Sequence, residues 1–243
     1  IDMESEQYFR RVLESIEVNI LAVDMQGSIT FCNNTLLSLL GWQRAQLLGK
    51  HWIETLVVNQ YKAACREFFE QAIQRRKDTT THESWLQDRL EREYLVRWHV
   101  TLMTNAEGEN IGLIFMGEDI TQYRENEIRV RHLSEAVAQS PASVMLTNNQ
   151  GMIEYVNPKF EHLTGYTLEE IKGLNPRILK SGETSAEEYS KLWSKVKQGK
   201  TWRGIFHNRK KNGELFWESV SISGIRNPEG EITHFLAVKE DIT

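Results

Sequence analysis

Met25-Gln26-Gly27-Ser28-Ile29-Thr30-Phe31-Cys32-Asn33 returns later in the chain as Asn149-Gln150-Gly151-Met152-Ile153-Glu154-Tyr155-Val156-Asn157, displaced by 124 positions. In both places an apolar run, a Gly-containing turn and a second apolar run follow one another, as in a short antiparallel strand pair. The strands are expected at Ile20–Val23 with Ile29–Cys32, and at Val144–Thr147 with Ile153–Val156. Leu40-Gly41-Trp42 matches Thr164-Gly165-Tyr166 at the same displacement. Near the ends, Asn105-Ala106-Glu107-Gly108-Glu109 and Glu118-Asp119-Ile120-Thr121 return as Asn227-Pro228-Glu229-Gly230-Glu231 and Glu240-Asp241-Ile242-Thr243, now displaced by 122. Solenoid units repeat every ~20–50 residues, so a period this long predicts two independent domains, each with its own core.

Within each copy the strand pair is followed by short helices, with Gly49 and Gly173 ending a turn, then by a longer helix at Gln60–Arg75 or Ala186–Lys197. Three strands close the copy: Glu83–Leu86, Tyr94–Leu102 and Gly112–Gly117, or Trp202–Arg209, Leu215–Ile225 and His234–Lys239. This order predicts an α+β fold, a five-stranded antiparallel sheet with helices on one face. The domains are expected at 18–121 and 140–243. Between them, 122–139 is charged, lacks Gly and Pro, and spaces Tyr123, Val130, Leu133 and Val137 like one seam of a coiled coil, with Asn126 as its polar member. Residues 1–17 carry a narrow stripe of Phe9, Val12, Leu13 and Ile16. Both segments read as helices that pair in a homodimer, or as amphipathic helices lying on their own domains.

Composition narrows the function. Of 243 residues, 29 are Lys or Arg and 34 are Asp or Glu, a formal charge of −5 that disfavours a nucleic-acid binder. No apolar run reaches the ~18 residues of a membrane helix. Two cysteines, Cys32 and Cys65, exclude a disulfide framework and point to a reducing, cytoplasmic setting. His51, His82 and His99 have no ligand spacing, so neither haem nor a metal is expected. No phosphate loop, nucleophile elbow or paired-acid motif is present, and catalysis is not expected. The start at Ile1, without a signal peptide, and the stop at Thr243 read as a piece of a longer signalling protein with its output domain elsewhere.

These features together resemble the PAS sensor family, whose domains end in a similar Asp-Ile-Thr. The second copy adds Gly173-Leu174-Asn175-Pro176-Arg177-Ile178-Leu179-Lys180-Ser181-Gly182, Leu192-Trp193, Gly199-Lys200-Thr201-Trp202-Arg203-Gly204, Asn208-Arg209-Lys210-Lys211-Asn212-Gly213 and Phe216-Trp217. That series resembles the flavin-binding PAS domains of the nitrogen-fixation redox regulator and the methane-monooxygenase sensor kinase. The resemblance implies FAD, with FMN less favoured, and a redox or oxygen signal. An isoalloxazine needs apolar walls and amides that both donate and accept. Asn157, Asn175 and Asn208 are the candidate amides, Trp193, Trp202 and Trp217 the walls, and Arg177 with Ser181 the phosphate contacts. Plainer readings stay open: core tryptophans, Asn208 as a strand-end residue, Asn175 as a turn former, Arg177 as a helix cap.

In light-oxygen-voltage relatives a Cys that forms a flavin adduct follows the Asn of the Gly-x-Asn segment, where this chain has Pro176. A Gln of the last strand is replaced by Lys239, and Glu218 stands where an amide is expected. Adduct chemistry is therefore not expected, although photoreduction through Trp stays open as a weaker light-sensing reading. The first copy reads as a dimerisation and relay domain. The rival reading makes the whole chain a cofactor-free interaction module with both cores filled by side chains.

Overall fold

The computed structural model describes residues 8, 11–74 and 79–243, which fall into two units that part at Glu127/Ile128. The first runs β1 (Asn19–Asp24), β2 (Ile29–Cys32), α1 (Asn34–Leu40), α2 (Arg44–Leu47), α3 (Trp52–Leu56), α4 (Lys62–Gln74), β3 (Thr80–Gln87), β4 (Glu93–Thr104) and β5 (Asn110–Asp119). Helix α5 (Thr121–Ala138) follows. The second runs β6 (Ser143–Asn148), β7 (Ile153–Val156), α6 (Pro158–Thr164), α7 (Leu168–Ile171), a 3-10 turn at Pro176–Leu179, α8 (Ala186–Lys197), β8 (Trp202–Arg209), β9 (Leu215–Arg226) and β10 (Ile232–Asp241). Each unit builds one antiparallel five-stranded sheet, in the orders β2-β1-β5-β4-β3 and β7-β6-β10-β9-β8.

The repeated Asn sets the join between sheet and helices. Asn33 and Asn157 are fully buried. Each caps the following helix by accepting from the backbone N–H of Leu36 or Phe160. Each also accepts from the first strand, through Ile20 N or Val144 N, and donates to two carbonyls before that strand, Leu13 and Val18 or Val137 and Ala142. One side chain thus satisfies four backbone groups that would otherwise be buried unpaired.

Edge strand β3 begins at Thr80, three residues before the expected Glu83, because Thr80, Thr81 and His82 pair with Val100, His99 and Trp98. A ready partner strand overrides a polar local sequence. The expected helix at Gln60–Arg75 is a 3-10 turn (Asn59–Tyr61) followed by α4, and Arg75 lies outside the described residues. The N-terminal helix expected at 1–17 falls largely outside them as well. Residues 11–15 are helical, and Glu14 pairs with Arg44 of the first domain at 2.5 Å. In α5, Tyr123, Val130 and Leu133 are exposed.

The interiors differ. Among the described residues of the first domain, most of the buried apolar side chains form one cluster spanning sheet and helices that includes Trp52, Phe69, Trp98 and Phe115. Trp52 and Phe115 ring centres lie 5.0 Å apart, and Trp98 meets Phe115 edge-on at 5.8 Å. In the second domain the buried apolar residues form two clusters, one around Phe160 and Ile171, the other around Leu192, Phe206 and Phe235, with partly buried Ile222 packed against both.

Candidate ligand cavity in the second domain

A cavity of about 490 Å³ lies between those two clusters, within the ~300–1,000 Å³ usual for small-molecule sites. Its apolar walls include Met145 and Ala237 from one cluster and Leu192, Phe206, Val220 and Phe235 from the other. The repeat explains the space. Val220 and Ala237 stand where the first domain has Trp98 and Phe115, and Pro176 where it has Trp52. In the first domain the volume is occupied by aromatic rings, and small side chains in the second leave it open.

Strand alternation decides which polar groups face this space. On β8 and β9 the buried residues are Phe206, Asn208, Phe216, Glu218 and Val220, and on β10 they are Phe235, Ala237 and Lys239. Asn208, Glu218 and Lys239 therefore meet on the inner face. Glu218 Oε1 accepts from Asn208 Nδ2 at 2.7 Å and from Lys239 Nζ at 2.9 Å. Asn208 and Lys239 line the cavity. Among the described residues no hydrogen bond reaches Asn208 Oδ1, so the amide keeps an acceptor in reserve.

The opposite wall comes from the turn at 149–151, the 3-10 segment and α8. Asn175 lines the cavity while its Nδ2 donates to Gly151 O at 3.2 Å and its Oδ1 accepts from Arg177 N at 3.1 Å. Gly151 has φ +79°, a left-handed conformation that glycine adopts without strain, and this turn places it beside Asn175 Nδ2 and the Trp193 ring. Trp193 packs edge-on against Phe235 at 5.3 Å. Arg177, Lys180 and Lys197 bring positive charge to the lining. Lys180 Nζ lies 3.6 Å from the Tyr189 ring centre, and burial holds the Tyr189 phenol above its ordinary pKa. Backbone pairing of Lys180 with Asn208 fastens this loop to the edge strand β8.

Of the eight residues chosen from sequence, Asn175, Arg177, Trp193 and Asn208 line the cavity and four do not. All four polar capacities of Asn157 are taken by backbone groups, and its amide caps α6 and joins it to β6. Ser181 Oγ is spent donating to His207 O. Trp202 folds back over Gly204 and stacks on Phe206 at 5.1 Å, supporting the wall from behind. Trp217 has the odd parity of β9, faces outward at 46% exposure and stacks on His207 at 4.1 Å. Sequence reading noticed Lys239 and Glu218 only as departures and passed over Phe206, Tyr189 and Phe235. Alternation outward from Asn208 and Phe216 was the signal that could have found the strand residues.

Comparison with known proteins is consistent with this duplication. A family profile described as PAS domain matches residues 141–243, and one described as PAS fold matches residues 7–120. A nitrogen fixation regulatory protein from Klebsiella oxytoca is 36% identical over 107 residues, covering 44% of this chain and 22% of that protein. The aerotaxis receptor of Escherichia coli is 27% identical over 108 residues, 44% of this chain and 21% of the receptor. A blue-light-activated histidine kinase from Brucella anthropi is 32% identical over 111 residues, 44% of this chain and 23% of the kinase. The chain spans roughly a fifth of the length of these curated relatives. Among the described residues, no helix is long and apolar enough to cross a membrane.

Proposed function

The chain belongs to the PAS family, with one such domain in each half, and from that premise we propose that it is the sensory segment of a cytoplasmic signalling protein holding FAD in its second domain. The signal is the redox state of that flavin, set by electron donors or oxygen. Signalling passes to an output domain in the same polypeptide, and the segment works as a homodimer through α5 and the N-terminal helix. The observation that carries the reading is the divided core: the second domain keeps open the space that Trp52, Trp98 and Phe115 occupy in the first. Similarity to a nitrogen fixation regulatory protein and to an aerotaxis receptor supports a regulatory, sensory role.

The residues present fit a flavin. Trp193, Phe206 and Phe235 offer flat apolar surface that excludes water. Asn208 and Asn175 offer amides, and Arg177, Lys180 and Lys197 supply cations for a flavin's phosphate groups, while the choice of FAD over FMN follows the resemblance to the FAD-binding PAS domains. When bound, the flavin supplies a reversible electron couple. The protein's part is to orient the ring, keep it dry and hold charge beside it. A cysteinyl light reaction has no place in this reading, since Pro176 follows Asn175 and both cysteines are buried in the first domain.

An absorbance spectrum of the purified chain is the direct test. Flavin bands that are released on denaturation and bleached by dithionite are expected, with FAD identified by chromatography of the released pigment. A colourless protein that takes up no added FAD overturns the proposal.

A further inference from the structure

The ion pair beside the cavity is one that the fold itself does not need. The side chains of Lys239 and Glu218 are 5% and 1% exposed. Moving an ammonium and a carboxylate out of water is unfavourable for each, and pairing them at best offsets that cost. The chain carries its own control: at the positions of Asn208, Glu218 and Lys239 the first domain has Leu86, Val96 and Gly117, yet builds the same sheet with the same pairing. There Trp98 lies opposite Gly117, where a Cβ would sit 2.4 Å from its ring; here Val220 lies opposite Lys239. At these three positions charge appears only in the domain with the cavity, and Lys239 lies on its wall.

A cation on a water-poor wall attracts negative charge far more strongly than one in solvent, and a carboxylate on the same cation cancels most of that field. We propose that Lys239 and Glu218 set the relative affinity of the second domain for reduced and oxidised flavin, Lys239 favouring the reduced form and Glu218 opposing it. The proposal rests on the flavin reading above. A soluble two-electron reductant, dithionite in the test below, gives up two electrons and is oxidised. The neutral ring takes those electrons and one proton from solvent, and so carries one negative charge near neutral pH. The new negative charge competes with Glu218 for the ammonium, and Asn208, held by the same carboxylate oxygen, senses that competition.

The test is a spectroelectrochemical titration of the flavin-loaded full chain in four forms: wild type, Glu218→Gln, Lys239→Gln and the double variant. Glu218→Gln is expected to raise the midpoint potential and Lys239→Gln to lower it, each by about a tenfold change in the affinity ratio, or ~30 mV for a two-electron couple. The double variant is expected to return close to wild type. Shifts of the same sign in the two single variants, or no shift in Glu218→Gln, overturn the proposal. Lys239→Gln leaves a carboxylate buried without its cation. If that variant does not fold, a raised potential in Glu218→Gln that the double variant restores still supports the proposal, and failure to restore it overturns it. Failure of the flavin reading is distinct, because wild type would then show no flavin bands and take up no flavin, and the proposal would fall with it.

Discussion

At the scale of single residues, Asn33 and Asn157 do identical work. Each holds two N–H groups and two carbonyls where the first strand, the first helix and the preceding segment converge. Losing an N-cap costs about 1 kcal/mol, and each buried group left unpaired adds roughly 1–3 kcal/mol where water cannot reach it. Asn33→Ala and Asn157→Ala are each expected to destabilise their own domain by about 2–4 kcal/mol, measurable by urea denaturation. On the flavin reading, only Asn157→Ala lowers the temperature of flavin release. His82 gives a pH prediction. Its ring stacks on Phe68 at 3.9 Å beside the Cys65 thiol, and burial pushes its pKa from 6.5 down to about 4, against the opposing pull of Glu83. The unfolded chain therefore takes up the proton first as pH falls. Stability is full above pH 6.5 and drains towards pH 4, by less than about 1.4 kcal/mol per unit because the ring is partly exposed. His82→Phe is expected to flatten the dependence of the urea midpoint between pH 6.5 and 5.

At the scale of elements, alternation along β8 and β9 separates wall from surface. Trp217→Ala, on the outer face, is expected to leave flavin retention unchanged in a dilution assay. Asn208→Ala and Phe206→Ala should each weaken it about tenfold or more, and Trp202→Ala less, since Trp202 acts by supporting Phe206. Equal losses for Trp217→Ala and Asn208→Ala would contradict the geometry. The element order was legible because turns and apolar runs are local signals, and the repeat supplied each of them twice. Site membership was less so. Residue type nominated Trp217 and Asn157, whereas strand parity and capping determine where those side chains go, and both are properties of the neighbours. Lys239 and Glu218 looked like departures singly; their meaning emerges only when β9 and β10 pair and bring a cation and an anion together.

At the scale of the whole molecule, two copies of one fold differ chiefly in what fills the middle. Placing the first domain's residues into the second, as Val220→Trp, Ala237→Phe, Lys239→Gly and Glu218→Val together, so that the new indole has a glycine opposite it and no carboxylate is left unpaired, is expected to yield a folded but colourless chain, checked by circular dichroism and absorbance. A variant that still binds flavin would show that these positions do not control the space. The repeat made the domain number readable from sequence, but hollow against filled was not, because it depends on volumes contributed by strands far apart in the chain.

The divided core also bears on how long such a molecule survives. A domain whose apolar residues form two small clusters gains less from its own packing than one with a single continuous interior. On the flavin reading, the bound flavin therefore contributes to that domain's stability by mass action. Cells short of cofactor would hold chains that open first at residues 140–243, where proteases act on exposed backbone. Turnover itself would then match the amount of sensor to the supply of the group that makes it able to sense.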